Sequence, residues 1–412
     1  MRKNTGSRLV LSVVVGVTIC LTLLPVARSQ NTQDPGQEQQ RPRRVGSATA
    51  QTPDKKSPKG SPETGQEVSD DEVVRVNTRL VSVPAVVTDS NGRPLPNLRA
   101  DNFVLYEDNA PQKISSFATT EAPFEVALLL DTSGSTRADV SLIKGAAKSF
   151  VTALRPGDRV SIAAYNTKRE SDSTLATVEV LTKLTNDRAE LDRAVEKIGS
   201  SNGTPFYDSL DKIADEVFKD PPTEQFKGRR ALVALTDGVD STSNSEFSDA
   251  KEKLERAGIA CYFIQVNTED FVEDRLLRDC SGDGTLRLSN TQLQRYRHIF
   301  TPRADASDYE DFCKLGQFER MQISRSLYKL ARKEMADLAR VSGGRTFDAA
   351  ELRDAKAAFA EVAKEIGTQY SIGYYPVNKA QDGQYRKIRV TVKGVAGQSK
   401  VRAREGYYAP RG

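Results

Sequence analysis

Apolar and polar positions follow two different rhythms along this chain of 412 residues. From residue 73 to about 120, and again from 369 to 412, short β-rich runs are separated by turn residues, without a helical period. Between 121 and 368, runs that are apolar throughout alternate with amphipathic helical stretches. Because wholly apolar strands are buried on both faces, this middle region predicts a mostly parallel sheet covered by helices.

The middle region is therefore predicted to be a doubly wound α/β domain, a Rossmann-like architecture whose ligands bind at the carboxyl ends of the strands. A polar stretch at about 269–325 breaks the rhythm and is interpreted as an insertion in this domain. The two chain ends of such a domain usually lie close together, so we predict that the β-segments 73–120 and 369–412 pair into one β-sandwich. The individual predictions are strands at 124–130, 159–165, 231–235 and 259–266, and helices at 140–154, 187–198, 206–218, 246–257, 328–340 and 351–366.

Residues 1–29 have the pattern of a secretory signal peptide. Three cations precede an apolar stretch at 9–24, and Ala27 and Ser29 are small residues at the positions that signal peptidase reads. The apolar stretch is shorter than the run of about 20 residues that a spanning helix needs, which favours cleavage before Gln30 over an uncleaved anchor. We therefore expect an exported protein of the periplasm, cell surface or medium, with no membrane span in the mature chain.

Composition and net charge limit the classes of molecule that the chain is expected to bind. Residues 30–72 contain almost no apolar side chains, so burial cannot offset the entropy of ordering them, and we predict a disordered linker. The net charge of +4 comes from four cations in residues 1–29, and the other 56 basic residues match the 56 acidic ones. A chain without net charge has no electrostatic reason to bind nucleic acid or an anionic membrane.

Three of the four cysteines lie beyond the predicted cleavage site. Cys261 lies in an apolar run and is interpreted as a small buried hydrophobe. Cys280 and Cys313 bracket a polar part of the insertion, and export would permit a disulfide between them. The sequence alone does not determine the pairing.

Three separate loops carry side-chain oxygens. Asp131, Ser133 and Ser135 directly follow the apolar strand predicted at 124–130. Thr204 precedes a predicted helix, and Asp237 follows the strand predicted at 231–235. If the three loops meet at one edge of the sheet, their five oxygens can face a single point. Oxygen donors of this kind suit a hard divalent cation such as Mg²⁺.

The same loops resemble the metal-ion-dependent adhesion site of von Willebrand factor type A domains. The resemblance lies in Asp-Thr-Ser-Gly-Ser at 131–135, Gly-Thr-Pro-Phe-Tyr-Asp-Ser-Leu at 203–210 and Leu-Thr-Asp-Gly at 235–238, in the family's order. It covers about 124–270 and resumes at about 328–367. The flanks, including Asp-Asn-Phe at 101–103 and the tyrosine-rich tail, resemble an exported bacterial subgroup of such proteins.

The resemblance implies a role for each candidate residue. Ser133 and Ser135 would bind Mg²⁺ (or Mn²⁺ or Ca²⁺) directly, and Thr204 would bind it directly in the high-affinity state. Asp131 and Asp237 would act directly or through water. One coordination position would stay open for an Asp or Glu carboxylate of a partner protein.

Other interpretations of the same residues remain open. Asp-x-Ser-x-Ser alone is a weak pattern, because such residues also end strands and cap helices, and only the combination of three loops favours a metal site. An alternative is a structural module in which the metal only stabilises the loops and the β-flanks make the contacts. His298, the single histidine, has no positioned nucleophile, and no phosphate-binding loop motif is present, so we expect no enzyme.

Overall fold

The computed structural model describes residues 80–411 except for 120, 135–139, 171–172, 224, 227, 279–285 and 396. The predicted signal peptide (1–29) and linker (30–72) lie outside the described residues, and so do Ser135 and Cys280. All described residues belong to one compact unit. Within this part of the chain, no helix combines the length and the apolar composition needed to cross a membrane.

The described strands alternate with helices in the middle of the chain and follow one another directly at both ends. In chain order the strands are β1 (Val81–Asp89), β2 (Phe103–Glu107), β3 (Ala110–Gln112), β4 (Ile114–Ala118), β5 (Glu125–Leu130), β6 (Arg159–Glu170), β7 (Ser173–Thr185), β8 (Arg230–Thr236), β9 (Ala260–Val266), β10 (Thr346–Ala349), β11 (Tyr370–Tyr374), β12 (Tyr385–Val392), β13 (Ser399–Ala403) and β14 (Gly406–Tyr408). The α-helices are α1 (Val140–Ala153), α2 (Arg188–Glu196), α3 (Phe206–Lys212), α4 (Phe247–Ala257), α5 (Glu269–Leu276), α6 (Asn290–Phe300), α7 (Gln317–Ser342) and α8 (Ala355–Gly367).

A six-stranded sheet forms the centre of the α/β region, in the order β10-β9-β8-β5-β6-β7. Its neighbouring strands run parallel, except that β7 runs antiparallel to β6. The central strands β5 and β8 are buried at every position, which explains why they are apolar apart from the charged first residue of each and the final Thr236. The predicted doubly wound α/β fold is therefore confirmed.

Two strands of this sheet have no counterpart among the predicted elements. The edge strand β7 alternates polar and apolar residues, because one of its faces is exposed to solvent. β10 has only four residues, too few for a clear apolar run. Both lie at edges of the sheet, where the wholly apolar signature of a central strand does not apply.

Helices cover both faces of the central sheet. Residues of α1, α2 and α8 share one apolar core with the sheet, and the rings of Phe150 and Phe359 approach to 5.2 Å between centroids there. Residues of α3, α4 and α7 share a second core on the opposite face. The predicted helix at 206–218 is α3 continued by one π-helical turn, Ile213–Val217.

The two β-segments pair as predicted and form a sandwich. One sheet has the order β13-β1-β11-β4 and the other β14-β12-β2-β3, so each sheet combines strands from both ends of the described chain. The sheets share one apolar core that includes Val83, Phe103 and Ile372. Within the sandwich, the hydroxyls of Tyr374 and Tyr407 donate to Oε2 of the buried Glu107, at 2.7 and 2.9 Å.

The predicted insertion (residues 269–325) contains several helical elements. It contains α5, α6, two short 3₁₀ turns and the first residues of α7, and its described side chains have an apolar core of their own. α7 begins at Gln317, eleven residues before the predicted start at 328. Cys313 is disulfide-bonded and Cys261 is a free, buried cysteine. Because Cys280 lies outside the described residues, the pairing of Cys280 with Cys313 stays a prediction.

Candidate functional site

Two adjacent parallel strands bring the candidate carboxylates to one edge of the central sheet. In the register of β5 and β8, Leu130 is opposite Leu235. The backbone N–H of Asp131 continues this ladder by donating to the carbonyl oxygen of Leu235 at 2.9 Å. Asp131 and Asp237 therefore follow neighbouring strands at their carboxyl ends, the position at which α/β domains bind ligands.

Neutral hydrogen-bond donors orient both carboxylates. Asp131 is 1 % exposed, and its Oδ1 and Oδ2 accept hydrogen bonds from the Ser133 N–H (2.9 Å) and the Thr236 hydroxyl (2.7 Å). Asp237 is 5 % exposed and accepts from the Val239 N–H at 3.0 Å. Such donors stabilise a carboxylate without neutralising its charge.

Each of the two carboxylates makes the ionisation of the other less favourable. Burial, and next the neighbouring Asp237 carboxylate, raise the pKa of Asp131 to about 7, against the opposing effect of its hydrogen bonds. A cation between the two groups would reverse the sign of this interaction, because each carboxylate would then face a positive charge.

The third loop is tied to the other two by backbone contacts. The N–H of Thr204 donates to the Ser241 hydroxyl at 2.8 Å, and the N–H of Ser241 donates back to the Thr204 carbonyl at 2.9 Å. The N–H of Ser201 donates to the carbonyl of Thr132 at 2.7 Å. A side chain at Gly203 would place its Cβ 2.7 Å from a methyl carbon of Thr242, so the close approach of the loops requires glycine.

Three predicted site residues lie on the wall of one cavity. Ser133, Thr204 and Asp237 line a space of about 130 Å³. Asp131 is connected to it through its hydrogen bond with the Ser133 N–H. The structure thus brings together four of the five predicted residues, and the fifth, Ser135, lies outside the described residues.

The donor chemistry suits a hard divalent cation. Hydroxyl and carboxylate oxygens are the ligands that Mg²⁺, Mn²⁺ and Ca²⁺ prefer, and the two buried aspartates supply compensating charge. Among the described residues, no group of three or more His, Cys, Asp and Glu side chains could hold a metal ion. The site combines two carboxylates with hydroxyl groups.

Two residues behind Asp237 were not among the predicted site residues. The hydroxyl of Thr268 donates to Oδ2 of Asp237 at 2.6 Å, and the same hydroxyl lies 2.7 Å from the Tyr328 hydroxyl. Thr268 closely follows β9, so its position at the carboxyl edge of the sheet could have been inferred from the sequence. Tyr328 lies on α7, far along the chain, and no sequence pattern connects it with the site.

The insertion supplies much of the cavity wall. Two contacts attach it to the loop that follows Asp237. The Arg295 guanidinium pairs with Oδ2 of Asp240 at 2.8 Å, with side chains that are 9 % and 0 % exposed, and the Ser289 hydroxyl donates to the Ser241 carbonyl at 2.6 Å. The lining residues that belong to the insertion are Val272, Leu286, Arg287, Leu288, Gln292 and Ser324.

Comparison with known families identifies one match. Residues 125–301 match the model of the von Willebrand factor type A domain family. The match includes β5 to β9 with all three candidate loops, and it extends into the insertion as far as the end of α6. The comparison with curated proteins found no match.

Several solved structures share features with this chain at low sequence identity. Proximal thread matrix protein 1 from the mussel byssus is 14 % identical, with a TM-score of 0.37, over 71 % of this chain and 51 % of that protein. A von Willebrand factor type A protein from Catenulispora acidiphila is 12 % identical, with a TM-score of 0.38, over 81 % and 74 %. The pilus adhesin SpaC from Lactobacillus rhamnosus GG is 10 % identical, with a TM-score of 0.36, over 78 % and 49 %. This chain thus spans about half the length of the byssus protein and of the adhesin.

Proposed function

We propose that the region 121–368, whose residues 125–301 match the von Willebrand factor type A family model, is a metal-dependent module that binds a protein partner. In this proposal Mg²⁺, or alternatively Mn²⁺ or Ca²⁺, is held by oxygens of Asp131, Ser133, Ser135, Thr204 and Asp237. A carboxylate of an Asp or Glu of the partner takes the open coordination position. The module binds and does not catalyse. The protein is exported and belongs to the bacterial subgroup that its flanks resemble.

One observation carries the proposal. Ser133, Thr204 and Asp237 come from three separate loops and line the same cavity. Burial and the charge of Asp237 raise the pKa of Asp131, so the buried acidic pair is costly unless a positive charge lies nearby. A divalent cation supplies that charge and also attracts an incoming carboxylate.

The surrounding residues position the donors. Oδ2 of Asp131 and Oδ2 of Asp237 accept hydrogen bonds from the hydroxyls of Thr236 and Thr268, which fixes the two carboxylate planes. The carboxylate oxygens retain further lone pairs for a cation. Because each threonine is buried or nearly buried, these contacts are held without competition from solvent.

Metal titration of the mature protein tests the proposal directly. We expect Mn²⁺ to bind the wild type, and Ser133→Ala to weaken binding at least tenfold because one direct ligand is lost. Ser149→Ala is the matched control, since Ser149 is half-buried on α1 and donates to the Gly145 carbonyl of its own helix. Wild-type Mn²⁺ affinity in Ser133→Ala, or partner binding that persists in excess chelator, would contradict the proposal.

A second candidate function places the contacts on the sandwich. Leu80 and Tyr375 lie next to the paired residues Val81 and Tyr374, and Leu80, Tyr375 and Val377 are 36, 54 and 71 % exposed. A cavity of about 260 Å³ lies beside them, with Leu80 and Pro376 in its wall. Exposed apolar groups in a row favour a contact surface.

The two candidates predict opposite results for two variants. If the sandwich makes the contacts, Val377→Ser abolishes partner binding, and Asp237→Ala lowers the melting temperature while folded protein still binds. If the metal site makes them, Asp237→Ala abolishes binding and Val377→Ser leaves it intact.

A further inference from the structure

A second cavity, of about 260 Å³, lies where the sandwich meets the α/β region. Its wall combines the start of β1, the carboxyl end of α4, the connection between β11 and β12, and the segment around β14. None of the described residues lines both this cavity and the one at the metal site. The two spaces are therefore separate, and a ligand of this second cavity would not touch the metal donors.

The charged side chains in the wall of the second cavity are all cationic. Four basic residues and no acidic residue line it within the described chain, and the basic ones are Arg230, Arg256, Lys379 and Arg404. Two of the arginines have carboxylate partners, Glu125 and Glu252, and both carboxylates belong to residues outside the wall. Positive charge thus lies closer to the cavity than the negative charge that balances it, which favours an anion inside.

Arg404 is a buried cation held by backbone carbonyls. It is 7 % exposed, and its guanidinium donates to the carbonyls of Gly406 at 2.7 Å, Glu255 at 2.8 Å and Ser82 at 3.4 Å. The bond to Glu255 caps the carboxyl end of α4, whose last carbonyls would otherwise repel an anion. Burial lowers the pKa of Arg404, against the opposing effect of neighbouring acidic groups. An anion in the cavity would stabilise the charged guanidinium.

Two other cations of the wall have donors left for a ligand. Arg256 donates through Nε and Nη2 to Oε1 of Glu252, and its Cζ lies 4.4 Å from the centroid of the Tyr408 ring. Its Nη1 forms no hydrogen bond with any residue that the structure describes. Lys379 is exposed, and its ammonium group has no ion pair in the same part of the chain. A guanidinium and an ammonium group on one wall can bind the same carboxylate.

Apolar groups form much of the remaining wall. They include Leu80, Val81, Ala257, Pro376, Tyr408 and Pro410. An inorganic anion would leave these groups in contact with water, whereas an anion with a hydrocarbon body would bury them and gain the free energy of that burial. Small-molecule sites usually measure about 300–1,000 Å³, so this cavity, whose volume lies slightly below that range, suits a small ligand.

We propose that the second cavity binds a small organic anion, namely a carboxylate with a hydrocarbon body. Lys379 and Arg256 donate to the carboxylate, and Arg404 adds the attraction of a buried charge. The hydrocarbon body packs against Tyr408 and the other apolar groups of the wall. This site does not depend on the proposed metal site, and its occupation needs no divalent cation.

Isothermal titration calorimetry of the purified, metal-free protein with octanoate tests the ligand chemistry. Removing divalent cations prevents the carboxylate from binding at the proposed metal site instead. We expect octanoate to bind about tenfold more tightly than octanamide, which lacks the charge, and about tenfold more tightly than acetate, which lacks the hydrocarbon body. Equal binding of octanoate and either of these compounds would overturn the proposal, and so would the absence of measurable octanoate binding.

Lysine variants test the contact with the carboxylate. We expect Lys379→Ala to weaken octanoate binding about threefold to tenfold, in line with a partly exposed charged contact, and to leave octanamide binding unchanged. Lys387→Ala is the matched control and should change neither affinity, because Lys387 is an exposed lysine of β12 that does not line the cavity. Equal losses for octanoate and octanamide in Lys379→Ala would show that the residue only shapes the cavity, which would contradict the proposal.

A glutamate variant should give a gain of affinity that a loss of stability would not produce. Glu252→Gln removes the carboxylate that pairs with Arg256, so octanoate should bind about threefold more tightly at low ionic strength. Glu216→Gln, which removes a similar exposed pair with Lys212 outside the wall, should leave the affinity unchanged. Weaker or unchanged octanoate binding in Glu252→Gln would overturn the proposal. Ser133→Ala should keep full octanoate affinity, which separates a failure of the metal site from a failure of this one.

Discussion

The buried acidic groups at the two ends of strand β5 have opposite surroundings. At the amino end, Glu125 is 2 % exposed and pairs with two arginines, at 2.9 Å to Arg230 and 3.1 Å to Arg159. At the carboxyl end, six residues away, the equally buried Asp131 accepts hydrogen bonds from neutral donors and faces a second carboxylate, Asp237. Negative charge is neutralised by the protein at one edge of the sheet and concentrated at the other.

This difference separates a structural acid from a ligand-binding one. A buried ion pair satisfies its charges internally and offers nothing to a ligand. A pair of buried carboxylates held by hydroxyl and backbone donors stores an unfavourable interaction that a cation would relieve. We therefore expect variants at the two edges to respond differently to metal ions and to pH.

The largest effect on stability is expected at the amino end of β5, where Glu125 is paired with arginines. Arg230→Ala removes the shortest ion pair of Glu125 and leaves a buried carboxylate with the Arg159 contact alone. We expect the free energy of unfolding to fall by about 3 kcal/mol, with or without Mg²⁺, because breaking a buried pair leaves an uncompensated charge. Urea unfolding measures this. Lys168→Ala, which removes an exposed pair with Glu170, should cost less than about 1 kcal/mol. A loss of stability in Arg230→Ala that depended on Mg²⁺ would contradict the proposed difference between the two ends of β5.

An intermediate effect on stability is expected at the carboxyl end of β5, around Asp131, when pH and metal concentration are varied together. The pKa of Asp131 is raised to about 7 in the folded protein, against about 4 in the unfolded chain. The folded metal-free protein therefore holds this proton more tightly than the unfolded chain does. The stability that results is fully present below about pH 4 and is lost as the pH rises to about 7. In chelator we therefore expect lower stability at pH 8 than at pH 5. Saturating Mg²⁺, at about 100 times its Kd, should add about 2.7 kcal/mol at pH 8 and less at pH 5, where protons compete for the carboxylate.

Thermal unfolding with and without chelator checks this pH dependence. In Asp131→Asn the fall between pH 5 and pH 8 should be smaller and the gain from Mg²⁺ should disappear, because the titrating carboxylate is gone. A metal-free wild type that becomes more stable from pH 5 to pH 8 would contradict the sign of the effect.

The smallest expected effect concerns the donors that orient the carboxylates. Thr268→Val removes the hydroxyl that donates to Oδ2 of Asp237 and keeps the shape of the side chain. We expect a loss in Mn²⁺ affinity of about fivefold, corresponding to one hydrogen bond of about 1 kcal/mol. Thr152→Val, on the exposed face of α1 where the hydroxyl donates to the Lys148 carbonyl, should leave the affinity unchanged. Equal losses in both variants would mean that the effect is not specific to the site.

Sequence patterns predicted the centre of the molecule better than its periphery. β5, β8 and β9 were recognisable because strands covered on both faces are apolar throughout. β7 at the sheet edge and the first eleven residues of α7 were not predicted, since half-exposed elements contain many polar residues. The site shows the same difference in part: Asp131 and Asp237, which directly follow buried strands, were identified, whereas Tyr328, which reaches the site from α7, was not.

The sequence by itself predicted that the loops at 131–135 and 236–238 share one edge of a sheet, because parallel strands joined by helical crossovers end at the same edge. The loop at 202–205 follows a helix, so this reason does not place it there. The sequence also determined that two chain ends rich in β-strands would meet. Only the tertiary structure decided which residues form the wall of the site. The contacts of Arg295 with Asp240 and of Tyr328 with Thr268 span 55 and 60 residues. They depend on how the insertion packs over the sheet, and such packing is set by complementary surfaces that no local pattern encodes.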